Sequence, residues 1–296
     1  MVYQSLFNSG NAEVISQLGG MAVVQYKKDM SVTPSTSKVE YYCSQMNVNK
    51  RQLLLNLNGN SYTVQAGAMQ WMSGNVNAAT GVKGVGDFFG KLASSIVTNE
   101  SAIKPQYTGQ GQMMLEPTFR HIILTDVAEW GGSVVLDDGL FLACDSSLQQ
   151  KVVARSNISS AVFGGEGLFN LSLNGSGVCA LESIVPKEEL FEINLQNDVL
   201  KIDGNMAIAW SGSLEFTVEK SGKSLLGSAA SGEGLVNVYR GTGKVWMAPV
   251  MSTLVPSAGQ TAPTENASSG QTGTPGAQSD TIDKIQAVSK VLDLFN

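Results

Sequence analysis

This sequence of 296 residues has few charged residues and almost no histidine. Charged residues make up 15% of the chain, and His121 is the only histidine. Without a second histidine or a Cys-x-x-Cys pair, the chain lacks the nitrogen and sulfur ligands of transition-metal sites. We therefore expect no bound metal, and we interpret His121 as a strand residue with a hydrogen-bonded side chain.

Basic residues are scarce and scattered. The 19 Lys and Arg are outnumbered by 25 Asp and Glu, and only Lys27-Lys28 and Lys50-Arg51 are adjacent basic pairs. Proteins that bind nucleic acids need a basic stripe to neutralise phosphates, often with aromatic residues between the charges. Nucleic acid is therefore not an expected partner.

Cysteine is also rare, with Cys43, Cys144 and Cys179 in the whole chain. An odd number in a chain of this length argues against a disulfide framework. Cys144 and Cys179 stand among apolar neighbours, which is typical of small core residues in a reducing compartment.

The chain has no recognisable targeting or membrane-spanning segment. Residues 1–20 contain neither a basic stretch followed by an apolar run nor an arginine, so they predict neither a secretory signal nor a mitochondrial presequence. No run of about 18 apolar residues could cross a membrane. These features predict a cytoplasmic protein.

Glycine, by contrast, is abundant, and it recurs at similar places. Short strand-like runs lead into three glycines, and a mostly apolar run follows each: Gly67, Gly139 and Gly204. A second marker follows downstream in each case: Gly109 and Gly111, Gly165 and Gly167, Gly232 and Gly234. Between the glycines lie short runs of alternating polarity, which predict strands joined by tight turns.

This pattern predicts an all-β domain, residues 1–255, made of three tandem antiparallel sandwich or barrel modules. Their approximate bounds are 1–120, 121–185 and 186–250. The two markers lie 42 residues apart in the first module and 26 and 28 apart in the others. The first module therefore contains an insertion of about 15 residues between Ala78 and Ser101, where the apolar spacing predicts a short helix.

The sequence offers no catalytic or cofactor-binding constellation. Asn170 stands where a dinucleotide fingerprint would need its third glycine, and no phosphate-loop motif is complete. Asp137-Asp138 and Glu188-Glu189 are adjacent pairs, and neighbouring strand residues point to opposite faces. We interpret both pairs as turn or solvated residues, and we expect no enzyme activity and no cofactor.

Several motifs in order resemble a known family. The motifs GAMQWMSG, YTGQGQMMLEP, GGEGLFNLSLNGSG and SGEGLVNVYRGTG resemble the altered-inheritance-of-mitochondria family, twenty-four type, over about residues 1–250. The resemblance implies three tandem β-modules similar to the tryptophan RNA-binding attenuation protein, packed into one β unit. The family supplies no agreed active site. RNA binding would be transferred by fold alone, so it is the less favoured implication.

The end of the chain differs in composition from the rest. Residues 256–279 are rich in Ser, Thr, Gly and Ala with one charge, which predicts a disordered linker. Residues 280–296 predict an amphipathic helix, with an apolar stripe that would bind a partner: Ile285, Val288, Leu292 and Phe295. Three partners stay open: its own core or a second copy of the chain, a different protein, or peripheral contact with a membrane surface.

Two functions follow from these observations. The first is a non-enzymatic scaffold or adaptor that acts through protein–protein association, as a homo-oligomer or with another protein, through the C-terminal helix. The alternative is a small-ligand-binding protein that uses clefts between its β-modules.

Overall fold

The structure is a computed structural model that describes residues 8–80, 104–154, 169–220 and 235–249. These residues form sixteen strands, one α-helix and two 3₁₀ turns, Val127–Trp130 and Lys187–Glu189. The helix, α1, spans Ser37–Gln45. The strands are β1 (Ala12–Leu18), β2 (Met21–Tyr26), β3 (Arg51–Asn56), β4 (Tyr62–Val64), β5 (Met69–Ala79), β6 (Gln106–Leu115), β7 (His121–Asp126), β8 (Ser133–Leu136), β9 (Phe141–Asp145), β10 (Gln149–Ala154), β11 (Phe169–Asn174), β12 (Val178–Ser183), β13 (Phe191–Asp203), β14 (Ala207–Ser211), β15 (Glu215–Lys220) and β16 (Leu235–Met247).

The strands form two antiparallel sheets. The first sheet has nine strands in the order β1-β2-β3-β6-β4-β9-β12-β7, with β5 also paired to β6, and it is a nearly closed barrel. The second has seven strands in the order β10-β11-β8-β14-β16-β13, with β15 also paired to β16, and it is a half-barrel. The predicted all-β class is confirmed.

Three large apolar clusters stabilise the sheets. The first-sheet cluster includes Met21, Leu53, Leu55, Tyr62, Met113 and Leu124. The joining cluster takes residues from both sheets, including Trp130, Leu136, Phe141, Leu173, Leu181 and Trp246. The third lies on the other face of the second sheet and includes Leu195, Ile202, Trp210 and Tyr239. The second sheet therefore packs apolar side chains on both of its faces.

Cys144 and Cys179 are fully buried free cysteines, so their interpretation as core residues is confirmed. They lie directly opposite each other on β9 and β12. Burial raises the pKa of the Cys144 thiol to about 12, and it raises the pKa of Cys179 as well. Both thiols are therefore protonated and unreactive at neutral pH.

The three glycines of the first marker occupy similar backbone positions. Gly67, Gly139 and Gly204 each connect two strands, with φ of 81°, 76° and 66°. Gly165, Gly167, Gly232 and Gly234 lie outside the described residues. The glycines that share the backbone of Gly109 (φ 125°) are Gly175 (φ 120°) and Gly241 (φ 118°). Each stands 66 residues after the one before (109, 175 and 241).

Backbone hydrogen bonds also recur near these glycines. Glu116 donates to the Ala68 carbonyl, Glu182 to Leu140, and Ala248 to Met206, each at 2.7 Å. The three acceptors follow Gly67, Gly139 and Gly204 by one or two residues.

Two helices concern the first hundred residues, one observed and one predicted. Helix α1 is not among the elements predicted from the sequence, and none of its residues is buried. The helix predicted between Ala78 and Ser101 falls mainly on residues 81–103, which lie outside the described residues.

Candidate functional site

One face of the second sheet carries a cleft with a volume of about 320 Å³. The alternation of β11 builds its polar side. Leu171 and Leu173 point into the joining cluster, so Asn170, Ser172 and Asn174 point into the cleft. The sequence FNLSLN therefore places one apolar and one polar row on opposite faces of the same strand.

The polar side of the cleft is a short hydrogen-bonded row. Ser133 donates to Asn174 Oδ1 at 2.7 Å, and Asn174 Nδ2 donates to Ser172 Oγ at 3.0 Å. Asn170 comes next along the strand and is only 4% exposed. Its Oδ1 is buried and has no hydrogen-bond partner among the described residues. A buried acceptor without a partner is costly and calls for a donor.

Aromatic rings form the opposite side. The ring centroids of Trp210 and Phe216 are 5.4 Å apart, and Tyr239 packs behind them at 5.3 Å from Trp210 and 5.1 Å from Phe216. Trp210 and Phe216 line the cleft directly. These spacings are those of ordered aromatic packing, and Trp210 is only 3% exposed.

The described lining of the cleft carries little charge. Lys151 is its one charged side chain, and it is exposed on β10 directly opposite Ser172. No carboxylate, histidine or cysteine is among the described residues that line the cleft. A general acid or base would have to lie within hydrogen-bond reach of a bound substrate.

The carboxylate pairs lie away from this cleft. Asp137 and Asp138 precede Gly139 in its turn, and Asn205 donates to Asp137 Oδ2 at 2.9 Å. They border a small cavity of about 70 Å³ with Arg120 and Glu182 among its other lining residues. The pair's interpretation as turn residues is confirmed.

Glu188 and Glu189 are exposed in the 3₁₀ turn Lys187–Glu189, as expected for solvated residues. Within the described ranges, no three His, Cys, Asp or Glu side chains are close enough to hold a metal. Nor does any helix there have the length and hydropathy to span a membrane.

The predicted partner-binding residues lie outside the described residues, as do the linker 256–279 and the helix 280–296. This set comprises Ile285, Val288, Leu292 and Phe295. Their role stays a prediction.

His121 is the first residue of β7 and is partly buried, which confirms that it is a strand residue. Burial, with a smaller effect of the nearby Arg51 charge, lowers the pKa of His121 to about 4, and Glu188 opposes part of this shift. The imidazole is therefore neutral at physiological pH.

This pKa predicts a loss of stability in mild acid. The unfolded chain takes up the His121 proton near pH 6.5 and the folded chain only near pH 4. Stability is thus fully present above pH 6.5 and is lost as the pH falls towards 4. Replacing His121 with Gln should remove about 2 kcal/mol of this loss, after allowance for partial exposure. Urea denaturation of the wild type and of His121→Gln at pH 7.5 and 4.5 measures how much stability each loses in acid. Equal losses in the two proteins would contradict the prediction.

Sequence reasoning missed the cleft itself. Asn170 was considered only as a failed position of a nucleotide motif, and Trp210 and Phe216 were not singled out. The available signal was the polar row Asn-x-Ser-x-Asn in a strand whose other row is leucine. What it packs against depends on long-range strand pairing.

Comparison with known proteins finds a matching family model and similar proteins of Streptococcus pyogenes. A family model described as mitochondrial biogenesis AIM24 matches residues 45–250. An uncharacterised protein of Streptococcus pyogenes serotype M6 is 32% identical over 197 residues, which cover 64% of this chain and 77% of that protein. The crystal structure of a Streptococcus pyogenes protein is similar with a TM-score of 0.51 and 29% identity, covering 69% of this chain and 90% of that one. The family match agrees with the family that the sequence motifs resemble.

Proposed function

This chain belongs to the mitochondrial biogenesis AIM24 family, and from that premise we propose that it is a non-enzymatic protein that binds a small ligand in the cleft of its second sheet. One observation carries the proposal: a cleft of about 320 Å³ on this sheet is lined by the polar residues Asn170, Ser172 and Asn174 on one side and by Trp210 and Phe216 on the other. Apolar pockets with a few convergent polar groups are the usual form of small-molecule sites.

We also propose that the chain contains three modules of one design. The recurring glycine backbone and the three equal hydrogen bonds support this. Side chains support it too: Val178 N–H donates to Asp145 Oδ2 at 2.7 Å, and 66 residues further on Lys244 N–H donates to Ser211 Oγ at 3.0 Å. Successive modules would pair through the contacts of β4 with β9 and of β8 with β14.

The cleft differs from the equivalent place in the preceding module. The positions 66 residues before Asn170, Trp210 and Phe216 hold Lys104, Cys144 and Gln150. There, Gln150 Nε2 contacts Cys144 Sγ at 3.7 Å and Lys104 lies over the ring of Phe141. These positions therefore lack both the aromatic wall and the unpaired amide oxygen. A single specialised cleft is what a protein with one ligand would need.

A thermal-shift screen of the full chain tests this function. A ligand present at 100 times its Kd adds about 2.7 kcal/mol, which raises Tm by roughly 5–10 °C for a domain of this size. The screen should include amino acids, nucleotides and aromatic acids. Phe216→Ala should abolish the shift, whereas Phe119→Ala, which removes an exposed ring elsewhere, should retain it. A screen without hits would contradict the proposal, and so would a ligand-induced shift that the Phe216→Ala variant retains.

Protein association is the second candidate, because the segment around α1 exposes several large apolar side chains. They are Met30 (76%), Val39 (62%), Tyr41 (62%), Tyr42 (57%) and Met46 (71%). Exposed apolar patches mark interaction surfaces in soluble proteins. A scaffold or adaptor role would use this segment together with the predicted C-terminal helix.

The helix can be tested directly. Changing Leu292 and Phe295 to Ser should leave Tm within about 2 °C but weaken association, because two large buried side chains contribute roughly 1.5–3 kcal/mol each. Sedimentation velocity and calorimetry on the same samples measure both quantities. Loss of folding would assign the helix to the core instead, and unchanged association would exclude it as the interface.

A further inference from the structure

We propose that copies of this chain associate head to tail, with residues 199–203 of β13 in one copy pairing antiparallel to residues 70–74 of β5 in the next. The contact lies away from the cleft and does not depend on its ligand. Two strand pairs inside the chain share one geometry, and the two edges that a third pair of this kind would use are both open among the described residues.

The pairing of β4 with β9 and that of β8 with β14 follow the same pattern. Thr63 lies opposite Cys144 in the first pair, and Val135 lies opposite Trp210 in the second. Two residues to either side, a backbone hydrogen bond of 2.8 or 2.9 Å joins the strands. These bonds run from Gln65 to Leu142 and from Ser146 to Ser61 in the first pair, and from Asp137 to Ile208 and from Gly212 to Ser133 in the second.

Strand β5 begins as β9 and β14 do. Each of the three pairs on one edge with a later strand and skips one residue near its start: Gln70, Leu142 and Ile208. The other edges of β9 and β14 pair with β4 and β8, whereas no described strand pairs with the other edge of β5. Met72 follows the skipped residue by two, as Cys144 and Trp210 do. It is 44% exposed, while they are 0% and 3% exposed.

Residues 199–203 of β13 correspond in the same way to β4 and β8. Leu200 lies opposite Tyr239 of β16, as Val134 lies opposite Leu173 of β11, 66 residues earlier on both strands. Because β13 ends the second sheet, its other edge pairs with no described strand. Val199 at this edge is 47% exposed, and its N–H donates to Asp198 Oδ1 at 2.7 Å rather than to a neighbouring strand.

The shared geometry fixes the register of the new contact. Lys201 takes the place of Thr63 and Val135, so it would lie opposite Met72 of the next copy. Backbone groups alternate between the two edges of a strand, so Lys201 and Met72 would exchange two N–H···O bonds across the contact. The expected opposite residues are Val199 with Gly74, Lys201 with Met72, and Asp203 with Gln70.

A second copy is the partner that fits both edges. Unpaired strand edges are templates for pairing with another chain, and the contact would continue a pairing that the chain already uses twice. One chain carries both open edges and leaves them unpaired with each other within the described ranges. The two edges differ, so the contact is heterologous and extends from copy to copy into a ring or a filament.

Two proline variants test the contact by sedimentation velocity of the full chain over a range of concentrations. Lys201→Pro blocks β13 and Met72→Pro blocks β5, because each removes an N–H directed at the open edge. The wild type should associate, and each variant alone should do so at least about tenfold more weakly. An equimolar mixture should regain the wild-type affinity, since each variant retains the edge that the other lacks.

Three results of this experiment would overturn the contact. They are a wild type that stays monomeric, a proline variant that associates as tightly as the wild type, and a mixture that gains nothing over the separate variants. Association that is lost on changing Leu292 and Phe295 to Ser, but kept by both proline variants, would also overturn it and would assign the interface to the C-terminal helix.

Charge variants test the register without proline, and they decide the matter if a proline variant does not fold. Met72→Lys places like charges opposite each other across the contact, and Met72→Glu places a carboxylate opposite Lys201. The first should weaken association about two- to fivefold and the second should strengthen it by a similar factor. The same two changes at Val152, which is 61% exposed on β10, alter the net charge equally and serve as controls. A Lys-to-Glu difference at Met72 no larger than at Val152 would overturn the register.

Discussion

Replacing Gly111 with Ala is expected to lower the free energy of unfolding by about 3–5 kcal/mol, as overpacking and backbone strain act together. Gly111 lies in β6 with φ of 153°, directly opposite Gly74 of β5. A β-carbon there would overlap the carbonyl oxygen of Ser73. That atom is backbone, so it can move only if the two strands separate.

Gly67→Ala is the matched control for this effect. Gly67 has φ of 81°, but a β-carbon there would have no atom within 4 Å. It should therefore cost only the left-handed strain of about 1–2 kcal/mol. Urea denaturation of both variants measures the difference. Equal losses would mean that strain alone explains Gly111 and that the close strand approach contributes nothing.

Replacing Arg51 with Met is expected to cost about 2–4 kcal/mol, since several hydrogen bonds to a charged group are lost. Arg51 is 2% exposed. Its Nε donates to Gln25 Oε1 at 2.8 Å, Nη2 to Asn47 Oδ1 at 2.7 Å and Nη1 to the Asn49 carbonyl at 3.2 Å. The guanidinium therefore holds the return of the α1 segment against β2, including Asn47 in its left-handed conformation.

Urea denaturation and limited proteolysis together test the role of Arg51. Proteolysis of the variant should cleave residues 27–48 earlier than in the wild type, because this segment loses its attachment. Arg51→Lys keeps the charge but loses the planar set of donors, so it should show most of the same effect. A Met variant as stable as the wild type would mean that burying the charge costs as much as its hydrogen bonds return.

The strands were predictable where their two faces differ. FNLSLN of β11 and EFTVEK of β15 alternate clearly, and glycines at 67, 139 and 204 mark real connections between strands. Local patterns suffice there because side-chain direction has a period of two in any strand. The family was likewise readable from ordered motifs, and the match over residues 45–250 confirms it.

The cleft and the α1 segment were not predictable for a common reason. Asn170 and Trp210 are 40 positions apart in sequence and meet because β11 and β14 both pair with β8. Arg51 is buried because Asn47 and the Arg120 carbonyl enclose it, and the latter lies 69 positions away. Such contacts are set by register between distant strands, which single-sequence patterns do not encode.

The strand order of the first sheet has a consequence for synthesis of the chain. Its neighbours are distant in sequence: β4 pairs with β9, and β12 lies between β9 and β7. The sheet cannot be completed until Ser183, the last residue of β12, has left the ribosome. At ordinary elongation rates, that takes about 10–40 s from initiation. Once β7 and β9 have been synthesised, no strand lies between them until β12 follows, so the growing chain presents open strand edges. The first sheet is therefore completed late, and these edges can pair with other chains until β12 is available.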